Sequence, residues 1–459
     1  MKRASKQAFK PKGMIMRVRC VHNLKTKDNH IKTQFQVLAD KYLSVCMIVL
    51  ILFLSTNLAA GNKKPDGSEN FIEYKGKVVD KKTGSALSYS GLVLVGTNIT
   101  SISNSEGDFS IKIPLNIENP AVNVSYIGYK NKVVRISDLK SDKIRIELEP
   151  SAVELPELNV ISKDAEALIR AVLEKRGDNY FNFQTMMTAF YRETIKKNRT
   201  YVSLAEAVVE VNKQPYTSFK ADVVKLFKSR KSTDYNKLDT LAFKLQGGPY
   251  NSLYLDIMKN PDFIFTDDMI SNYEFTFDHS TYEDNRLIYV LDFKQRPEIK
   301  APMYFGKLYI DAKNVSLKSA VFKLNITDKD ASAAMFIKKK PFNAKVYPID
   351  TKYRIDYLEK DGKWYYAYSR IELGIKIIWK KKLFNTNYFS TVEMAVTDWG
   401  KDAENKSISF HDRLKPSVII SDEASGFSDP KFWGEFNVIE PEKSIDTAIK
   451  KIQKQLEKK

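Results

Sequence analysis

The chain has 459 residues, with 74 Lys and Arg against 56 Asp and Glu, a formal charge of +18, two cysteines and four histidines. Such a length holds two or three domains with full cores, and 12% aromatic residues, 24 Tyr and 26 Phe among them, exclude a disordered chain and suit strands. Two cysteines exclude a disulfide framework and a four-cysteine zinc site, and the basic excess points to nucleic acid or a membrane surface only once it is located along the chain.

Half of that excess lies at the start. Residues 1–41 hold eleven Lys and Arg against Asp28 and Asp40, a charge of +9 (11 minus 2). The uncharged stretch Tyr42–Ala60 follows, with the ten apolar residues Val45–Leu54 at its centre and Leu58, Ala59 and Ala60 before Gly61. A basic flank, a short apolar run and small residues at its end read as a secretory signal peptide over residues 1–60. Two other readings stay open: an inner-membrane anchor over Tyr42–Ala60, although a span takes roughly 20 apolar residues, and a buried core helix. Under either membrane reading the basic flank stays in the cytoplasm and residues 61–459 are exported. Both cysteines, Cys20 and Cys46, precede Gly61. The exported part therefore carries +9 (18 minus 9) and has no thiol for catalysis, metal binding or disulfides.

From Phe71 the chain reads as short strands broken by turns. The segments Tyr74–Asp80, Gly91–Val95, Phe109–Ile113, Val122–Tyr129, Val133–Ile136 and Ile144–Leu148 are apolar or alternate, with turn signals at Thr83-Gly84, Gly96-Thr97-Asn98 and Glu106-Gly107-Asp108. About seven short strands between residues 71 and 150 argue a β-sandwich. Gly76, Val78, Asp80, Thr83 and Gly84, then Val93, Val95, Gly96 and Thr97, then Asn104, Gly107 and Phe109, then Val124 through Tyr129, together resemble the carboxypeptidase-regulatory-like domain. The resemblance implies a seven-stranded, transthyretin-like sandwich. It does not imply peptidase chemistry. A zinc carboxypeptidase needs His, Glu and His around an open-site metal, and beyond residue 60 the chain has only His279 and His411. No cofactor is expected.

Residues 151–163, with Pro156 following Pro150, read as a linker. Asp164 is positioned to cap a helix in which Ala165, Leu168, Ile169, Val172 and Leu173 share a face, with Gly177 as its stop. Asn179-Tyr180, Phe190-Tyr191-Arg192-Glu193 and Ala205–Val211 follow. This series is similar to two-domain envelope proteins of Gram-negative bacteria that carry the regulatory-like module before a large domain of unknown function. Two readings of Arg192 and Glu193 stay open: a functional pair, and the strand-edge salt bridge that is expected.

The remainder, to residue 459, reads as a large antiparallel, curved β-sheet domain with a few helices, so the fold class is mainly β. Tyr304–Asp311 turns through Asn314 into Ser319–Leu324. Tyr353, Ile355 and Tyr357 turn at Asp361-Gly362 into Trp364, Tyr366 and Tyr368, and Asp-Gly between alternating strands signals a type I′ turn. Asn387–Trp399 is another long strand. Tyr304–Asp311 also resembles a strand of lipoprotein-carrier half-barrels, which implies a ligand-binding concavity. Ser444–Lys459 carries an apolar stripe of Ile445, Ala448, Ile449, Ile452 and Leu456 and reads as a docked C-terminal helix.

Two basic clusters are the candidate contacts with an anionic surface: Lys338, Lys339 and Lys340 before Phe342, and Trp379 with Lys380, Lys381 and Lys382. Lysines reach phosphates while aromatic side chains enter the interfacial layer; the alternative role is lysine protection of a strand edge. Nucleic acid is not expected as a partner. The reading is an exported, non-enzymatic protein of the periplasm or outer membrane. Its sandwich is an interaction or spacer module, and its larger domain binds an envelope protein, a lipid or an anionic membrane surface. The alternatives are a carrier of hydrophobic ligands and a hydrolase.

Overall fold

A computed structural model describes residues 17–22, 70–138, 144–151, 164–233, 241–340, 342–380, 383, 385–400, 408–424 and 431–456. The apolar run and the cleavage point fall outside the described residues, as does most of the linker. Within the basic stretch, Arg17–His22 forms a strand, β1, which runs parallel to Ile337–Lys339.

Seven strands make the sandwich: β2 (Phe71–Asp80), β3 (Gly91–Leu94), β4 (Thr100–Ile102), β5 (Asp108–Pro114), β6 (Ala121–Ser125), β7 (Lys132–Arg135) and β8 (Ile144–Leu148). They form two sheets, ordered β5-β2-β8 and β4-β3-β6-β7. Alternation along the strands sends Leu92, Leu94, Val122, Val124, Ile144, Ile146 and Leu148 inward. The motif residues have local reasons to be what they are. A Cβ on Gly76 would lie 2.3 Å from the Ile144 carbonyl oxygen, so only glycine lets β8 run beside β2. Gly107 has φ +78°, and a Cβ there would lie 2.7 Å from the Val78 oxygen. Asp80 Oδ1 accepts from the Lys82 and Thr83 amides at 2.6 and 2.7 Å, and its Oδ2 accepts from Tyr129 Oη at 2.7 Å.

The second part begins with α1 (Ala165–Glu174), whose N-terminal amide of Ala167 is capped by Asp164 at 2.9 Å. Ala165, Leu168, Ile169 and Val172 are its buried face. The expected stop at Gly177 is not where the helix ends. The α1 helix closes at Lys175, and Gly177 lies inside a short following helix, α2 (Arg176–Asn179).

Twelve strands follow: β9 (Thr185–Lys197), β10 (Thr200–Lys213), β11 (Val223–Thr233), β12 (Leu241–Gln246), β13 (Tyr273–Glu283), β14 (Arg286–Gln295), β15 (Tyr304–Asp311), β16 (Ser316–Leu324), β17 (Ile337–Lys339), β18 (Ala344–Lys360), β19 (Lys363–Trp379) and β20 (Thr386–Gly400). Ten of them build one antiparallel sheet, ordered β11-β10-β9-β20-β19-β18-β16-β15-β14-β13; β12 and β17 instead flank β1 in a small three-stranded sheet. The β18–β19 turn is the expected type I′, with Asp361 at φ 53° and Gly362 at φ 75°. Lys360 pairs with Lys363 and Glu359 with Trp364 in register. That register buries Tyr353, Ile355, Tyr357, Trp364, Tyr366 and Tyr368.

The inner face of this sheet is covered by the segment between β12 and β13, which contains α3 (Pro249–Tyr254) and α4 (Asp267–Ile270). Phe263 reaches the rings of Tyr304 at 5.0 Å and Phe322 at 6.2 Å, and Phe265 packs 5.4 Å from Phe293. A buried ion cluster fixes the segment in place. Lys213 Nζ lies 2.7 Å from Asp222 and 2.8 Å from Asp256, and Tyr357 Oη donates to Asp256 at 2.8 Å. Of the remaining helices, α5 (Lys329–Phe336) precedes β17, and α6 (Ile420–Glu423) lies by β10 and β11. The C-terminal helix α7 (Lys443–Leu456) docks Ile445 and Ile449 on Leu204.

Candidate functional site

Two concentrations of charge stand out, and register explains both. The first is a row across six neighbouring strands. Arg230 on β11 is opposite Glu206 on β10, which is opposite Arg192 on β9. Arg192 is opposite Glu393 on β20, then come Arg370 on β19 and Arg354 on β18. Glu206 takes Arg192 and Arg230, each at 2.7 Å, and Arg370 Nη1 reaches Glu393 at 2.5 Å. Burial pushes the Glu206 carboxyl up, but the two guanidinium groups outweigh it and hold the carboxyl below the usual range.

The sandwich and the C-terminal segment sit on this row. Tyr89 stacks on Tyr368 at 5.6 Å, with Arg354 and Arg370 at 5.2 and 5.5 Å from its ring. Arg192 donates to the Ile439 carbonyl at 2.7 Å, and Trp433 lies 4.8 Å from Arg230. Hydrogen bonds extend the junction: Thr100 Oγ1 to the Val396 oxygen at 2.7 Å, Asn98 to the Trp399 oxygen, and the Lys112 amide to Asn437 at 2.7 Å. Gly128 and Asp284 tie the sandwich to β13 through backbone bonds of 2.8 and 2.9 Å. An open cleft of about 630 Å³ beside the junction has a mixed wall that includes Lys112, Thr188, Asp398 and Glu435.

The expected salt bridge between Arg192 and Glu193 does not form, because consecutive strand residues point to opposite faces. Arg192 joins the row. Glu193 points to the other face, where it accepts from Tyr191 Oη at 2.9 Å. Burial there pushes its carboxyl up to about 7. Neither histidine is set in a peptidase arrangement. His279 Nδ1 is 2.8 Å from Asp278 Oδ2 on the surface, and Glu283, four residues on, is paired with Lys318. Among the described residues no group of three or more His, Cys, Asp and Glu is placed to hold a metal ion.

The second concentration is the pair of lysine clusters. Far apart in sequence, they meet at one end of the β18–β19 hairpin. Ala344 pairs with Trp379 at the end of the ladder, and the Lys380 amide donates to the Asn343 oxygen at 3.0 Å. Lys338, Lys340 and Lys380 are exposed; Lys339 lies on β17, and Lys381 and Lys382 fall outside the described residues. Trp379 is not a surface residue. It is 7% exposed and packs in the main core, because its place in the alternation of β19 turns it inward with Ile375 and Ile377. The exposed apolar residues at this end are instead Phe342 and Leu383, at 94% and 97% exposure. Both are adjacent to the clusters in sequence, but their exposure could not be read from hydrophobic pattern alone.

No curated protein matches the chain. Among solved structures, similarity was found to a DUF1329 family protein from Desulfovibrio piger at 10% identity, covering 52% of this chain and 91% of that one, with a TM-score of 0.20. A LolA superfamily protein from Nitrosomonas europaea is similar at 10% identity, with 52% and 97% covered and a TM-score of 0.19. MucB, in its complex with MucA, is similar at 11% identity, with 51% and 94% covered and a TM-score of 0.18. Likenesses this weak carry neither a shared fold nor a ligand over to this chain. The family comparison is specific. Residues 74–160 match the CarboxypepD_reg-like domain, over the strands where Gly76, Asp80 and Gly107 have their steric and hydrogen-bonding roles, and the chain therefore carries a domain of that family.

Proposed function

We propose that this is an exported, non-enzymatic binding protein of the bacterial envelope, in which the CarboxypepD_reg-like sandwich and the large sheet act as one rigid body. The observation that carries this reading is the junction. A row of arginines and glutamates with Arg192 and Glu206 buried at its centre, capped by Tyr89 and Trp433, fixes the sandwich to the sheet. This leaves the basic end of the β18–β19 hairpin as the surface offered to a partner. The basic stretch before Val45–Leu54 and the confinement of both cysteines to the first 60 residues support export. A carrier holding its ligand against the inner face of the sheet would have to displace Phe263, Phe265 and the Asp256–Lys213 pair. We therefore assign the binding role to the surface rather than to a concavity.

Cell fractionation with N-terminal sequencing tests the reading. The expected result is a chain in the envelope fraction that begins at or near Gly61. A full-length chain recovered from the cytosol refutes export.

A further inference from the structure

We propose that the end of the β18–β19 hairpin is a docking tip for an anionic phospholipid surface, with lysines reaching the headgroups and Phe342 and Leu383 entering the bilayer interface. This rests on the reading above and names the partner of the same site. Residues 336–345 and 376–385 each contain four lysines and no Asp or Glu. The Lys380–Asn343 hydrogen bond joins the two stretches, and among the described residues Lys338, Lys340, Lys345 and Lys380 are exposed there. The apolar residues of the two stretches divide by burial. Phe336 and Trp379 are 3% and 7% exposed and anchor the tip in the core, whereas Phe342 and Leu383 are almost wholly in water. Exposed apolar side chains gain nothing in the folded chain by itself, and beside clustered lysines they match the pairing of charge and insertion that holds proteins at anionic membranes.

Edge protection does not account for the arrangement. It can apply to Lys338 and Lys339, which lie on β17 at an edge of the small sheet, but Lys380 follows β19, which is paired on both sides by β18 and β20 and has no edge to guard, and edge protection gives no role to Phe342 and Leu383. An acidic protein would satisfy the lysines but gives no reason for two single apolar side chains flanking them.

The test is co-sedimentation of the chain as recovered from the envelope fraction with vesicles of phosphatidylglycerol in phosphatidylcholine, against phosphatidylcholine alone. Binding is expected only to the anionic vesicles, and it is expected to weaken as salt is raised. Replacing Lys338, Lys340 and Lys380 together by Gln is expected to weaken it about a hundredfold, at roughly fivefold per lysine. The pair Phe342→Ala and Leu383→Ala, which leaves the charge unchanged, is expected to weaken it at least about tenfold. Equal binding to both vesicle types, or no binding to either, overturns the proposal; the latter is the outcome for an acidic protein partner. Loss in the lysine variant with none in the Phe342/Leu383 variant overturns insertion. A chain located in the envelope that fails to bind these vesicles refutes the lipid partner and leaves export standing. Vesicle binding by a chain found in the cytosol has the opposite meaning.

Discussion

The charge row under the sandwich and the lysine tip at the hairpin end place similar residues in opposite circumstances. In the row every carboxylate lies between guanidinium groups, and Arg192 and Glu206 are 2% and 0% exposed at their side chains. Desolvation there is offset by attraction and by hydrogen bonds, and the arrangement holds two parts of the protein together. The two stretches that meet at the tip hold eight lysines and no acid. The difference teaches that paired, buried charge on this scaffold is architecture, and that one-signed, exposed charge is what is left over for another molecule.

The comparison predicts unequal costs. Arg192→Met removes the guanidinium between Glu206 and Glu393, leaving each with one arginine, Arg230 or Arg370, and the Ile439 carbonyl without its donor; stability should fall by about 3–5 kcal/mol, the usual cost of removing one partner from a buried pair. Denaturant unfolding measures it, and a loss below about 1 kcal/mol would mean that water enters the row.

Glu193, next in sequence but on the other face, gives a prediction with the opposite sign. Its carboxyl is pushed up to about 7 in the folded chain, so between the ordinary value of about 4.5 and 7 the folded state holds a proton that the unfolded state has lost. Stability then falls as pH rises through that window and levels off above it. Glu193→Gln removes this fall. At pH 8 the variant should be more stable relative to wild type than at pH 4.5, by up to about 3 kcal/mol for a shift of this size. Melting curves at the two pH values decide it; parallel behaviour of the two proteins would show that Glu193 is not desolvated.

Tyr89→Ala removes the sandwich residue that stacks on Tyr368 between two arginines. A loss of about 1–3 kcal/mol is expected from the stacking and cation–π contacts, with faster proteolysis of the chain. Unchanged proteolysis would show that the hydrogen bonds of Thr100, Asn98 and Lys112 hold the junction without the ring. The smallest effect is expected at the tip: Lys338→Gln, Lys340→Gln and Lys380→Gln should each change stability by less than about 0.5 kcal/mol. A larger loss would move these lysines from the second class of charge to the first.

Much of the local structure is legible in the sequence. Asp361-Gly362 specified its turn because both residues tolerate positive φ. Gly76, Asp80 and Gly107 mark the sandwich because each meets a local backbone constraint, and Asp164 caps its helix for the same kind of reason. The site was less legible. That Lys338–Lys340 and Lys380–Lys382 are basic is plain, but nothing in a linear pattern says that residues some forty positions apart share one end of a hairpin. Trp379 was misplaced because a tryptophan beside lysines looks interfacial until the register of β19 assigns it a face. Arg192 and Glu193 were paired by adjacency, which alternation along a strand forbids.

What the sequence by itself determined about this protein is what short-range physics controls: turns, caps, strand alternation, the domain motif and the absence of thiols after residue 60. What only the tertiary structure decided is which strands are neighbours. Sheet order puts β20 between β9 and β19, and that order assembles Arg230, Glu206, Arg192, Glu393 and Arg370 into a single row. Charge and burial act through space, so their meaning appears only when the strands are laid side by side.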